Sequence, residues 1–232
     1  MVEECSSGQA SIRCVLFDLD GTLYDSKAYS KYFDAEMTAI VSSFLGINSD
    51  DASRILQERR KKEGTLTRAI ESLGLSRLQF HELVSARVNP SLYLSSDAET
   101  RGVIARLKES GLKIGLVSNS GRGLVYKILA ALGLEKTLFD AIITGTDVEP
   151  KPSHQPFLLA INKLQCDKVS TVYVGDRDEA EIRPAHEVGL RTILLSRNAE
   201  EKRDAKWADV VIGDIADLEK TIFNMTQPSV SS

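Results

Sequence analysis

Apolar and polar positions along this chain keep two rhythms. At the start, and again from about residue 97, short apolar runs read as strands: 12–17, 113–117, 141–144, 171–174, 192–195 and 209–212. Helical periodicity separates the later ones, over 98–110, 123–132, 156–164, a short stretch ending near Val188, and 215–223. Strand–helix alternation predicts a parallel sheet covered on both faces. Residues 27–86 carry helical signals alone. Tyr29, Tyr32, Phe33, Met37, Ile40, Val41, Phe44 and Leu45 recur at three- and four-residue spacing. Ser49 or Asp50 is expected to cap a second helix that breaks at Gly64; residues 67–73 and 76–87 make two more. This helical block follows the first strand, so it reads as a lid inserted over the sheet's C-terminal edge.

Composition narrows the class. The chain has 232 residues, 42% hydrophobic and 27% charged, which is ordinary for a globular protein. That length buries roughly 70% of its unfolded surface. A net charge of −4 and a pI near 5.5 argue against nucleic acid or an anionic membrane as partner. No apolar run reaches membrane-spanning length, and residues 1–10 lack an apolar signal region, so the expected location is cytoplasmic. The three cysteines, Cys5, Cys14 and Cys166, are widely spaced and lack zinc-site spacing, which suggests reduced thiols with Cys14 as a small core residue. Residues 1–10 and 226–232 are expected to be flexible tails.

The chemistry concentrates where strands end. Phe17-Asp18-Leu19-Asp20-Gly21-Thr22-Leu23-Tyr24 closes the first apolar run. An ordinary turn accounts for Asp20-Gly21-Thr22 but not for Asp18 inside the end of an apolar strand. Two carboxylates two residues apart face one side, and their repulsion calls for a cation or a shared proton. This stretch resembles the first motif of the haloacid dehalogenase-like phosphohydrolases. The resemblance implies a Rossmann-like α/β core with an inserted helical cap. It also implies Asp18 as nucleophile and Asp20 as general acid and base.

Three further stretches follow in that family's order. Gly115-Leu116-Val117-Ser118-Asn119-Ser120 ends the next core strand. Ser118 is assigned to a phosphoryl oxygen, level with Asp18, and helix capping is left to Asn119, Ser120 or both. Val148-Glu149-Pro150-Lys151-Pro152 holds a lysine between two prolines. It is either an exposed loop residue or, as the resemblance favours, a fixed ammonium that neutralises the carboxylate and the phosphate. Val172-Tyr173-Val174-Gly175-Asp176-Arg177 brings a third acid to the same edge, with Glu181 five residues beyond. Asp18, the main-chain carbonyl of Asp20, and Asp176 make a hard-oxygen set suited to Mg²⁺. Glu181 replaces the family's usual Asp; it either reaches the metal, bridges through water, or braces Lys151. Asp178 and Glu179 read as solvated helix N-terminal acids, and Pro184 as a first-turn proline.

The resemblance therefore implies a Mg²⁺-dependent phosphatase acting on a small phosphorylated metabolite through an aspartyl-phosphate. Asp18, Leu19, Asp20, Ser118, Asn119 and Lys151 would cradle the phosphate. The core is expected over 11–25 and 97–225 and the cap over 26–96. Tyr24, Lys61 to Leu66 and Glu149 to Pro152 look similar to the pyrimidine 5′-nucleotidase branch; Gly175-Asp176-Arg177 looks like the phosphoglycolate phosphatase pool. A sugar-phosphate mutase shares every core residue, and a non-catalytic scaffold with a binding role is the reading from another class. A monomer and a homodimer both fit. The basic run Arg59-Arg60-Lys61-Lys62 is either a solvated helix face or a site for a substrate's anionic end. His81, His154 and His186 are given no role.

Overall fold

Strand residues alternate between two apolar layers, and that alternation organises the molecule. The computed structural model describes residues 11–197 and 205–226. Residues 1–10, Cys5 and 227–232 of the expected tails lie outside the described residues. Six strands run parallel: β1 (Cys14–Phe17), β2 (Lys113–Val117), β3 (Ala141–Ile143), β4 (Thr171–Gly175), β5 (Arg191–Leu195) and β6 (Val210–Ile212). Their spatial order is β3-β2-β1-β4-β5-β6. Val15, Phe17, Leu116, Val174 and Ile193 point into one layer; Cys14, Leu16, Val117, Tyr173 and Leu194 point into the other.

The helices between strands cover those faces. They are α5 (Ala98–Glu109), α6 (Arg122–Ala131), α7 (Gln155–Leu164), α8 (Arg183–Val188) and α9 (Leu218–Thr226). Phe157, Ala160, Ile161 and Leu164 of α7 and Ala185 of α8 pack in the layer that holds Leu16. Cys166, just past α7, meets Cys14 on β1, their Cα atoms 6.6 Å apart. Cys14 is fully buried, as expected of a small core residue. A separation of 152 residues hides the pair, which exists because α7 docks on the face that Cys14 occupies.

Four helices fill the gap between β1 and α5: α1 (Lys27–Leu45), α2 (Ser49–Glu63), α3 (Leu66–Glu71) and α4 (Arg77–Arg87). Each starts on a side-chain cap, from Ser26, Asn48, Thr65 and Ser76 respectively. Asn48, not Ser49 or Asp50, caps α2. Its Oδ1 accepts the Asp51 N–H at 2.9 Å, which leaves Asp50 and Asp51 in the first turn, where the helix dipole favours them. α1 packs on α2 and α4, α3 packs on α2 and α4, and α4 rests on α6. Met37, Ile40, Leu56, Ile70 and Val84 join the same apolar cluster as Phe17 and Leu116. No helix among the described residues is long and apolar enough to cross a membrane.

The order β3-β2-β1-β4 reverses direction beside β1. In open parallel sheets the crevice outside such a switch point is where ligands bind. β1 and β4 end there, followed by Asp18 and Asp176.

Candidate active site

Register places the acids. Phe17 pairs with Leu116 on one side and Val174 on the other, and the Asp18 N–H donates to Val174 O at 2.9 Å. Continuing that register sets Asp18 beside Val117 and Gly175. Ser118 and Asp176 fall one position farther out, so Ser118 is not level with Asp18 as expected. Gly21 has φ +92°, and a Cβ there would overlap the Asp176 carboxylate. Only glycine fits both the turn and the approach of that acid.

Lys151 is the centre of the buried floor. It is 1% exposed, so the exposed-loop alternative does not hold. Its Nζ lies 2.5 Å from Asp18 Oδ1, 3.0 Å from Glu181 Oε1, 2.9 Å from the Tyr173 hydroxyl and 3.1 Å from Val117 O. Burial works against its charge, but Asp18 and Glu181 more than offset that and raise its pKa. The lysine is held from behind by Asn119. Asn119 Oδ1 accepts the Lys151 N–H at 2.7 Å, and Asn119 Nδ2 donates to Lys151 O at 2.9 Å. The expected capping role for Asn119 or Ser120 is therefore corrected. Gly121 starts α6 with no side-chain cap, and Ser120 Oγ donates instead to Asp20 Oδ2 at 3.3 Å. Ser118 Oγ donates to the same oxygen at 3.3 Å and accepts the Ser120 N–H at 3.1 Å.

Glu181 reaches the cluster because a single π turn over Asp178–Ile182 swings it inward. Its Oε1 binds both Lys151 and, at 2.5 Å, Arg177 Nη2. Burial alone would raise its carboxyl; Lys151 and Arg177 outweigh that and hold it down at about 2. The brace on Lys151 is thus present. Its other oxygen, Oε2, is buried with no hydrogen-bond partner, as is Asp176 Oδ1. Burial, with the Glu181 charge added, pushes Asp18 up to about 7 and Asp176 up to about 8. Asp18, Asp176 and Glu181 each offer an oxygen within 4.8 Å of the others. Carboxylates outnumber cations at this spot, and two of their buried oxygens have no donor. The set therefore fits a hard divalent cation.

Some neighbours carried no signal in the sequence reading. Tyr173 was counted as apolar strand, although a phenol three residues before Asp176 was visible. Arg177 lies beside the acids with its side chain 55% exposed. Asp178 is not simply solvated: its carboxylate accepts the N–H groups of Lys206 at 2.8 Å and Trp207 at 3.3 Å. Arg68 and Arg77, from α3 and α4, both bind Glu149, two residues before Lys151. Leu19 is fully buried, so its side chain serves the core.

A cavity of about 700 Å³ opens above the floor, between the sheet edge and the four inserted helices. Tyr29, Phe33, Arg60, Lys61 and Thr65 line it from the helical block, and Tyr24 lines it beside Asp20. Of the basic run, Arg60 and Lys61 face the cavity, and Lys62 is exposed away from it. Arg60 is tied to Asp34 at 2.9 Å, whereas Lys61 has no ion pair among the described residues.

A doubly wound sheet with carboxylates and a buried lysine at its switch point defines an α/β enzyme for anionic substrates. The chain belongs to the haloacid dehalogenase-like hydrolases, whose family pattern it matches over residues 15–195. It is similar to a glyceraldehyde 3-phosphate phosphatase of Methanocaldococcus jannaschii, 26% identical over 92% of this chain and 98% of the relative. It is also similar to a phosphoglycolate phosphatase of Yersinia pestis, 29% identical over 90% and 92%. Among solved structures, a haloacid dehalogenase-like phosphatase from Thermococcus onnurineus aligns with a TM-score of 0.71 and 27% identity, covering 91% of this chain and 98% of that one.

Proposed function

We propose that this hydrolase is a Mg²⁺-dependent phosphatase of small phosphorylated metabolites, acting through an aspartyl-phosphate on Asp18. Residues 11–25 and 97–225 form its catalytic core and 26–96 its cap. The observation that carries the reading is the contact of Lys151 with both Asp18 and Glu181 at the switch point, with Asp20 poised above.

Asp18, the main-chain carbonyl of Asp20 and Asp176 would hold Mg²⁺, with Glu181 in the same cluster of carboxylates. When bound, the ion neutralises charge gathered by the carboxylates and the phosphate. Ser118, Asn119 and the main chain at Leu19 orient the phosphoryl oxygens, and Lys151 balances their charge. An Asp18 carboxylate oxygen attacks phosphorus, and the bond from phosphorus to the alcohol oxygen breaks. Asp20 gives its proton to the departing alkoxide. Asp20 then takes a proton from water as that water attacks the aspartyl-phosphate, releasing inorganic phosphate and restoring Asp18. The cap closes over the site and excludes bulk water.

Glyceraldehyde 3-phosphate and 2-phosphoglycolate are the first esters to assay, since relatives of similar length are named for them. The test combines Asp18→Asn with chelation. Asp18→Asn is expected to cut turnover by roughly 10⁴-fold or more and to leave no phosphorylated protein. Exhaustive chelation is expected to abolish turnover of the unaltered protein until Mg²⁺ is restored. Near-normal turnover in either arm would refute the mechanism.

A further inference from the structure

Asp20 must present one oxygen to the reacting atoms while the rest of its carboxyl stays still. The chain doubles back to hold it. Gly21 N–H donates to Tyr24 O at 3.0 Å, Leu23 N–H donates to Leu19 O at 3.0 Å, and Asp20 and Tyr24 form an isolated bridge. This small loop brings Tyr24 back beside Asp20, and the phenol hydroxyl donates to Asp20 Oδ1. The other oxygen, Oδ2, has only the longer contacts from Ser118 and Ser120, both 3.3 Å. Ser118 is the residue assigned above to a phosphoryl oxygen, so Oδ2, the oxygen its hydroxyl contacts, is the one on the side of the proposed phosphate.

The ring is fixed in turn. Tyr24 meets Tyr29 edge to face at 5.7 Å, and Tyr29 packs against Phe33 at 6.1 Å, both on α1 of the helical block.

We infer that Tyr24 is a positioning residue for the general acid: its hydroxyl anchors Asp20 Oδ1 so that Oδ2 delivers and recovers the proton. The inference rests on the phosphatase reading above. During ester cleavage the proton on Oδ2 passes to the leaving oxygen as its bond to phosphorus breaks. During hydrolysis of the aspartyl-phosphate, Oδ2 takes a proton from the attacking water. Tyr24 keeps its own proton throughout.

The test uses two esters of similar shape. Phenyl phosphate has a basic leaving group that needs the proton; p-nitrophenyl phosphate has a leaving anion that hardly does. Tyr24→Phe keeps the ring and its contact with Tyr29. It is expected to lower kcat/KM for phenyl phosphate by about 10-fold and for p-nitrophenyl phosphate by no more than about 2-fold. In an Asp20→Asn background the same change is expected to add no selective loss, because the group it positions is gone. Equal losses on both esters, no loss on either, or a selective loss that persists without Asp20 would overturn the inference. Failure of the phosphatase reading looks different: the unaltered protein would release phosphate from neither ester, and the inference would fall with it.

Discussion

The floor and the roof of the cavity are built on opposite terms. The floor, Asp18, Lys151 and Glu181, is buried, mutually bonded and set by strand register. The roof, Arg60, Lys61 and Thr65, comes from the end of α2 and the start of α3, is partly or fully exposed, and includes a lysine with no ion pair among the described residues. Burial gives the floor large interactions and no tolerance. Exposure gives the roof weak interactions and room to vary. Under the proposed function, the phosphoryl group shared by every substrate would sit on the first and the part that differs on the second.

Removing the floor's cation is the harshest way to probe that contrast. Lys151→Ala leaves Glu181 and Asp18 buried without their partner, which typically costs about 3–5 kcal/mol. Turnover is expected to fall by about 10²- to 10³-fold at saturating Mg²⁺. Chemical denaturation and phosphate release measure the two losses. Stability within about 1 kcal/mol of the parent would mean that the acids tolerate their own charge, and the floor would no longer differ from the roof.

At the roof, Lys61→Ala is expected to leave stability nearly unchanged and to reorder kcat/KM among natural phosphoesters by about 10-fold. Hydrolysis of p-nitrophenyl phosphate should change far less. A uniform loss across all esters would assign Lys61 to cap folding or closure.

A pH-dependent effect lies at the seam. His81 of α4 is buried against Gly121 and Gly145, where a Cβ would overlap its ring. Burial, with the charge of Arg77, lowers its pKa from 6.5 to about 4. Between those values the unfolded chain binds a proton that the native state refuses, so stability falls as pH drops from about 6.5 to 4. Asp18 and Asp176, shifted upward, act with the opposite sign. The measurement is therefore the difference between the unaltered protein and His81→Gln, expected to shrink by about 1–3 kcal/mol on acidification. A difference independent of pH would mean that His81 gains its proton without strain on the seam.

What was legible in the sequence follows the same division. Asp18, Ser118 and Asp176 stand at strand ends, and a strand end is readable from a short apolar run. Lys151 was legible through its prolines and its likeness to a known motif. Asn119 was misread because capping is a local habit, whereas its actual partner lies 32 residues away. Cys14 with Cys166, and Glu149 with Arg68 and Arg77, were invisible for the same reason. Each depends on which helix docks where, and no window of sequence contains both partners. Glu181 was half legible: its acidity was plain, but the π turn that aims it was not.

Asn119 also changes how many independent parts the site has. By bonding both main-chain groups of Lys151, its side chain does what a neighbouring strand would do, and it joins the loop after β2 to the loop after β3. Two loops tied in this way constrain one another. Their disorder is lost when the chain folds, before any substrate arrives, so less of the binding energy goes to ordering them. One amide thus ties together two irregular segments that leave different strands.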